Sequence, residues 1–413
     1  MKKILAVLLA ALMLFAFAAC GGNGGEEDTT TSAAADDTTA AATEVDYSTV
    51  KMGLICLHDE NSTYDSNFIQ AAKAASEELG FELVIKVNIP EDDSCAQAAE
   101  ELAEDGCNVI FANSFGHETY IMTVAEEYAD VEFCHATGTN AKTAGIENFH
   151  NAFASIYEGR YLAGIVAGMK INEMIANGDI TEDEAKMGYV GAYPYAEVKS
   201  GFTSFYLGAK SVCPTVTMKV KYTNSWFDIA LEKEAADALI GEGCILISQH
   251  ADSEGAPKAC EEKKVPNVAY NVDTSNLGPT TALISSKIDW TPYFKLIAEA
   301  TAKDIAIPTD WCGTIATGSV ALTTLNADVA AEGTQEAIDA AKAKLEEGTI
   351  KVFDTATFTV GGEALTSYMA DVISDEAFTP DTEVIIDGAF AESNVDGMRS
   401  APYFDIIIDG ITE

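Results

Sequence analysis

Aromatic rings are interleaved with carboxylates, amides and imidazoles in a set of short polar clusters: His58-Asp59-Glu60-Asn61-Ser62-Thr63-Tyr64-Asp65, Asn113-Ser114-Phe115, His135-Ala136-Thr137, Tyr193-Pro194-Tyr195, Asn224-Ser225-Trp226-Phe227, Gln249-His250-Ala251-Asp252 and Asn271-Val272-Asp273. That mixture suits a flat heterocycle held between rings and hydrogen-bonded at its edge. Stacking a base on an aromatic side chain contributes roughly 1–3 kcal/mol, and a hydrogen bond to a charged group about 1.5–3 kcal/mol. A sugar is served by similar groups. Each candidate also has a structural use. Asp59 and Asp65 can cap the helix that follows them, Trp226 can fill core, His250 can bond within its strand, and Asp273 can form a turn. Catalysis finds less support, since GxSxG, HExxH and Gly-rich phosphate loops are absent. The five histidines show no i,i+4 ligand spacing, so no metal or cofactor is expected.

These clusters fall where strands end. Apolar runs read as strands at 51–56, 82–87, 108–112 and 131–136, with helices at about 67–79 and 93–104 between them. The plan then repeats. Lys51-Met52-Gly53 returns as Lys186-Met187-Gly188, and Ala98-Ala99-Glu100-Glu101-Leu102 ahead of Gly106-Cys107 returns as Ala235-Ala236-Asp237-Ala238-Leu239 ahead of Gly243-Cys244. Strands of the second unit are read at 187–191, 217–222, 244–248 and 267–271, and a helix carrying Tyr157, Tyr161 and Ile165 precedes it. A further strand and helix are expected over 283–303, and another helix over 334–347. Strand alternating with helix predicts a parallel, doubly wound sheet in each unit. Ligands of such sheets bind beyond the carboxyl ends of the strands, where these polar clusters lie.

The two ends and the charge set the address. Lys2 and Lys3, the apolar run from Ile4 to Phe17, and Ala18-Ala19-Cys20-Gly21 have the layout of an export signal. Small residues before Cys20 resemble a lipobox, with Phe17 departing from the usual leucine, so lipidation is expected at Cys20. Residues 21–46 are polar and small enough to read as a disordered tether. The formal charge of −42 and the presence of only two arginines, Arg160 and Arg399, argue against a nucleic-acid partner. The eight cysteines after Cys20 contain no CxxC pair, and Cys56, Cys107, Cys134 and Cys244 sit in or beside apolar runs, so mostly buried thiols are expected.

Several motifs together resemble the basic membrane protein family of substrate-binding lipoproteins, which is similar to the purine nucleoside receptors of ATP-binding-cassette importers. They are Lys51-Met52-Gly53-Leu54-Ile55, Tyr157-Glu158-Gly159-Arg160-Tyr161-Leu162-Ala163-Gly164, Asn224-Ser225-Trp226-Phe227-Asp228, Gln249-His250-Ala251-Asp252-Ser253, Asp273, Ser285-Ser286-Lys287 and Ser400-Ala401-Pro402-Tyr403-Phe404-Asp405. The resemblance implies an α/β, two-lobed periplasmic-binding-protein fold of type I with three hinge crossovers, closing on a purine nucleoside or nucleobase. It implies ABC permease partners and a membrane anchor. For the first lobe it points to Asp59, Tyr64, Asp65 and Phe68 as ligand contacts, and for the second to Trp226 facing the base and to Asp273 and Lys287 on the ribose hydroxyls. Asn113, His135, His250 and Asp252 complete the candidate set. Where nucleoside binders carry an acid, this chain has His135, which puts a free base beside the nucleoside. The expected layout is signal peptide 1–19, anchor and linker 20–46, first lobe 47–148 plus about 280–313, and second lobe 149–279 plus about 314–413.

Overall fold

The computed structural model describes residues 45–373 and 377–413; the signal-peptide and lipidation expectations lie outside them. Two sheets dominate. The first contains β1 (Lys51–Ile55), β2 (Glu82–Lys86), β3 (Val109–Ala112), β4 (Glu132–Ala136), β5 (Phe149–Ala154) and β11 (Asp310–Gly313), ordered β11-β5-β4-β3-β1-β2 and parallel throughout. The second contains β6 (Lys186–Gly191), β7 (Thr217–Tyr222), β8 (Leu246–His250), β9 (Asn267–Tyr270), β10 (Ala282–Ile288), β12 (Val320–Leu322) and β17 (Ile411–Thr412), ordered β12-β10-β9-β8-β6-β7-β17. Only the β10–β12 pair is antiparallel in it. Both lobes share the order 2-1-3-4-5, so each has a switch point between its first and third strands, where a crevice opens.

The sequence repeat has a packing cause. A Cβ on Gly53 would come 2.8 Å from Leu102 Cδ1, and one on Gly188 would come 2.6 Å from Ile247 Cδ1 and 3.1 Å from Leu239 Cβ. Glycine in each opening strand thus admits the side chains packed over it. Helices α1 (Thr63–Leu79), α2 (Asp93–Glu104), α3 (Glu118–Glu127) and α4 (Ala141–Ala144) serve the first lobe. Helices α5 (Ile156–Asn177), α6 (Ala196–Val212), α7 (Ile229–Gly241) and α8 (Gly255–Lys263) serve the second. Helix α1 starts before the expected residue 67, because Ser62 accepts the Asp65 amide as its N-cap.

The lobe boundaries differ from those expected. Phe149–Ala154 was assigned to the second lobe, yet it is hydrogen-bonded between β4 and β11 in the first sheet. Ala282–Ile288 was assigned to the first lobe, yet it pairs with β9 and β12 in the second. Only α9 (Thr291–Lys303), which packs on α1, and β11 return to the first lobe. The chain therefore crosses three times: at Ser155, at Asp289 and Trp290, and between Gly313 and Val320. Asn67 Nδ2 donates to Ile288 O at 2.6 Å, fastening α1 to the second crossing.

Helix α10 (Thr334–Glu346) packs on α5. The remaining C-terminal segment forms hairpins β13 (Met369–Ala370) with β14 (Thr382–Glu383) and β15 (Ile385–Ile386) with β16 (Ala389–Phe390), then adds β17 beside β7. Its core is a ring cluster, with Phe404 4.6 Å from both Phe353 and Phe390. All eight described cysteines are free thiols, seven buried and Cys312 half-buried. Burial pushes Cys95 up to about 12, leaving it inert. No helix of the described residues is long and apolar enough to cross a membrane.

Candidate ligand-binding cleft

The first-lobe wall is organised around one carboxylate. Asp65, in the first turn of α1, is almost fully buried. Its Oδ1 accepts the His58 amide at 3.1 Å and Asn113 Nδ2 at 2.8 Å, and its Oδ2 lies 3.4 Å from His58 Nδ1. Burial acts to raise its pKa, but the hydrogen bonds from His58 and Asn113 outweigh it and hold the group below the usual range, hence ionised. Asn113 also accepts the Leu57 amide and, through its carbonyl, the Tyr64 hydroxyl at 2.7 Å, so this one residue after β3 fixes both Asp65 and Tyr64.

The loop after β4 supplies Thr137, whose φ of +66° is a left-handed conformation rare for a β-branched residue. Just beyond it, the buried Glu118 carboxylate accepts the amides of Thr139 and Asn140, each at 2.8 Å, and the side chains of Asn140 and Asn151. His135 lies behind this loop, with Nε2 2.7 Å from Ser114 O, and burial lowers its pKa.

The second-lobe wall is aromatic at its rim and acidic within. Tyr193 and Tyr195 stack at 5.0 Å and 10°, and Trp226 meets Tyr193 edge-on at 5.2 Å. Deeper in, His250 Nε2 lies 3.1 Å from Glu197 Oε1. The Arg160 guanidinium, on α5, sits 3.6 Å over the Tyr270 ring and donates to Gln249 O at 2.7 Å. Burial, with Arg160 adding to it, holds His250 below its ordinary value. Asp252 goes the other way. Burial first, then repulsion from Glu232, Asp65 and Glu197, raise its pKa well above the carboxylate range, with only Arg160 opposing. Its proton is thus held more tightly than an ordinary carboxyl's, which favours the form that can donate an O–H.

The lobes meet across this cleft. Asp252 O accepts the Thr63 amide at 2.8 Å and the Thr63 hydroxyl at 3.1 Å, His58 lies 5.3 Å from Phe227, and Phe115 lies 6.1 Å from Tyr195. Between the walls is a cavity of about 30 Å³, lined by His58, Tyr64, Asp65, Phe115, Trp226, His250 and Asp252 among others. This holds little more than a water or two, so a ligand of any size enters by parting these contacts. A second cavity of about 740 Å³ adjoins it, sharing Phe115, Thr137, Glu197 and Trp226.

Sequence comparison matches this chain to the family described as ABC transporter substrate-binding protein, PnrA-like, over residues 55–354. The chain belongs to this family. It is similar to a Haloferax volcanii protein named for glucose binding in ABC transport, 39% identical over 47% of this chain and 46% of that protein. It is also similar to a purine-binding protein of Brucella abortus, 36% identical over 54% of this chain and 61% of that protein. The chain thus spans about half the length of the curated relatives it matches. A solute-binding protein of an ABC transporter system from Conexibacter woesei shares the fold, with a TM-score of 0.59 at 21% identity over 73% of this chain and 97% of that one. The architecture is the type I periplasmic-binding-protein fold.

Against that family background, the structure brings Tyr64, Asp65, Trp226, His250 and Asp252 together on the cleft surface, with Asn113 directly behind Asp65. The other candidates lie elsewhere. Asp59 accepts the amide and side chain of Asn61 in a turn before Ser62 and lines neither cavity. Phe68 is core, stacked 4.4 Å from Trp290. His135 is buried beneath the Thr137 loop. Asp273 is exposed and accepts the Ser275 amide, while Lys287 is half-buried on β10 opposite Ala321; neither reaches the cavities. Glu197, Tyr270 and Arg160 were absent from the candidate set. An acid in the first helical turn after Tyr195 and a tyrosine closing a strand both look structural in sequence, and only the tertiary contact reveals them.

Proposed function

We propose that the chain is an extracytoplasmic, lipid-anchored receptor of an ABC importer that clamps a purine base or nucleoside between its lobes and presents the closed form to permease subunits. One observation carries this reading: the cleft brings together Phe115 and Trp226 from different lobes and two buried carboxyls, Asp65 and Asp252, one from each lobe. Rings on both sides suit a flat heterocycle, and a purine edge carries both N–H donors and ring-nitrogen acceptors. The purine-binding relative from Brucella supports the same choice. Because Thr63 and Asp252 already join the lobes, ligand shifts the balance toward closure only by its differential affinity for the closed form. A sugar is the second reading, favoured by the glucose-binding relative.

Calorimetric titration of the chain from Tyr47 with adenosine, guanosine, inosine, adenine, hypoxanthine and monosaccharides tests the proposal. One-to-one purine binding is expected; silence toward purines with a response to a sugar would replace it. In the same assay Trp226→Ala is expected to weaken purine binding by roughly 1–3 kcal/mol while the chain stays folded. Unchanged affinity would remove Trp226 from the site.

A further inference from the structure

The C-terminal segment beyond residue 354 falls outside the family match, yet it walls the larger cavity. Thr139 and Asn140 line that chamber from the first lobe, Tyr195 and Trp226 from the second, and Tyr368 and Tyr403 from the segment. The segment is anchored to both lobes. It pairs β17 with β7, receives the Ser200 hydroxyl on Glu392 at 2.5 Å, and joins Asp405 to Lys199 on the second lobe. It also donates the Ser400 amide to Asp310 Oδ1 at 2.7 Å on the first. The chamber is thus a built enclosure, continuous with the inner cleft through Phe115, Thr137, Glu197 and Trp226.

Two further facts point to its occupant. The inner cavity of about 30 Å³ admits no ring until the contacts between its walls part, whereas the chamber of about 740 Å³ already stands open beside it with ample room for a sugar. Asp273 and Lys287, to which the resemblance gave the ribose hydroxyls, line neither space. The chamber's tyrosine rings, amide and carboxylates are the groups that hold sugar hydroxyls and sugar faces. Glu197, Asp371 and Asp405 outnumber Arg399 on its walls, and with the net charge of −42 they disfavour a phosphate there. Resting on the purine reading above, we infer that the ligand's base occupies the inner cleft while a neutral sugar substituent lies in the chamber completed by the C-terminal segment, which therefore sets the preference for nucleoside over base.

The test fills the chamber from two walls. Met369, 46% exposed on the segment, and Thr139, on the opposite lobe, both line it without belonging to the core. Met369→Trp and Thr139→Trp are compared with wild type in titrations with adenine and adenosine, and with hypoxanthine and inosine. Each variant is expected to lose nucleoside affinity by about tenfold or more, the consequence of a built-in clash, while base affinity is retained and so reports an intact fold and cleft. Equal losses for base and nucleoside, or no loss for either, would overturn the chamber assignment while leaving the purine reading in place. A selective nucleoside loss in Asp273→Ala would likewise overturn it. A wild type that binds neither base nor nucleoside would instead sink the purine reading, and this inference with it.

Discussion

Phe68→Ala is expected to destabilise the fold by about 3–5 kcal/mol, the range for removing a fully buried aromatic ring and leaving a cavity. The affinity of the remaining folded molecules should change far less. Phe68 has no exposed surface and lies against three rings: Trp290 stacked at 4.4 Å, Tyr64 edge-on at 4.8 Å and Phe111 at 5.6 Å. Trp290 stands at the second interlobe crossing, so Phe68 joins helix α1 to the hinge. Tyr64 also faces the cleft, but its hydroxyl is held by Asn113 O at 2.7 Å independently of Phe68. Urea unfolding with unchanged m-value, alongside titration of the folded protein, measures both effects. A stability loss under about 1 kcal/mol with a large affinity loss would return Phe68 to the ligand-contact role that the resemblance implied.

The placement of Phe68 shows what the sequence does and does not display. Strand and helix alternation is local, a matter of apolar periodicity and capping residues, and the strands and helices read from that pattern lie close to where it puts them. Sheet membership is not local. β10 reads as a strand and β5 is missed, and the partners of each, β4 and β11 for β5 and β9 and β12 for β10, are decided by where the hinges turn, which no periodicity encodes. The rule that ligands sit beyond strand ends leads to Asp65, Trp226, His250 and Asp252 because it depends on topology alone. It cannot separate a cleft aspartate from a turn aspartate, so Asp59 and Asp273, each bonded to an amide two residues on, are selected with the others. The C-terminal wall is invisible to the rule, since Tyr368 and Tyr403 reach the chamber from short hairpins and irregular chain.

Stability should be greater at about pH 5 than at about pH 7.5, reversing the usual expectation for carboxylates stabilised by the fold. Burial first raises four acids to about 7: Glu158, Glu232 and Glu392 from 4.5, and Asp310 from 3.8. Between the unfolded and folded values the native state binds protons that the unfolded chain has released. Stability therefore falls as pH rises through that window and levels off above the folded values. Each group contributes at most about 1.4 kcal/mol per pH unit, so the sum across the window is on the order of several kcal/mol. Mutual repulsion in a chain of charge −42 grows in the same direction. Groups of the opposite kind oppose this: burial holds His117, His135 and His250 below the ordinary imidazole value of about 6.5, so they withdraw stability as pH falls below it and offset part of the gain from the acids, whereas Asp65, held low by His58 and Asn113 against its burial, and Glu261, held at about 2 chiefly by Lys264, withdraw theirs only as pH falls below the usual carboxylate range. The maximum should accordingly lie near the unfolded carboxylate values. Urea unfolding across this range measures the slope, and stability that rises steadily from about pH 5 to 7.5 would contradict the account. Glu232→Gln supplies the residue-level check. Glu232 accepts the Ser253 amide at 3.1 Å beside Asp252, and an amide there keeps an acceptor oxygen while removing one titration, so the slope should flatten by the share of a single group.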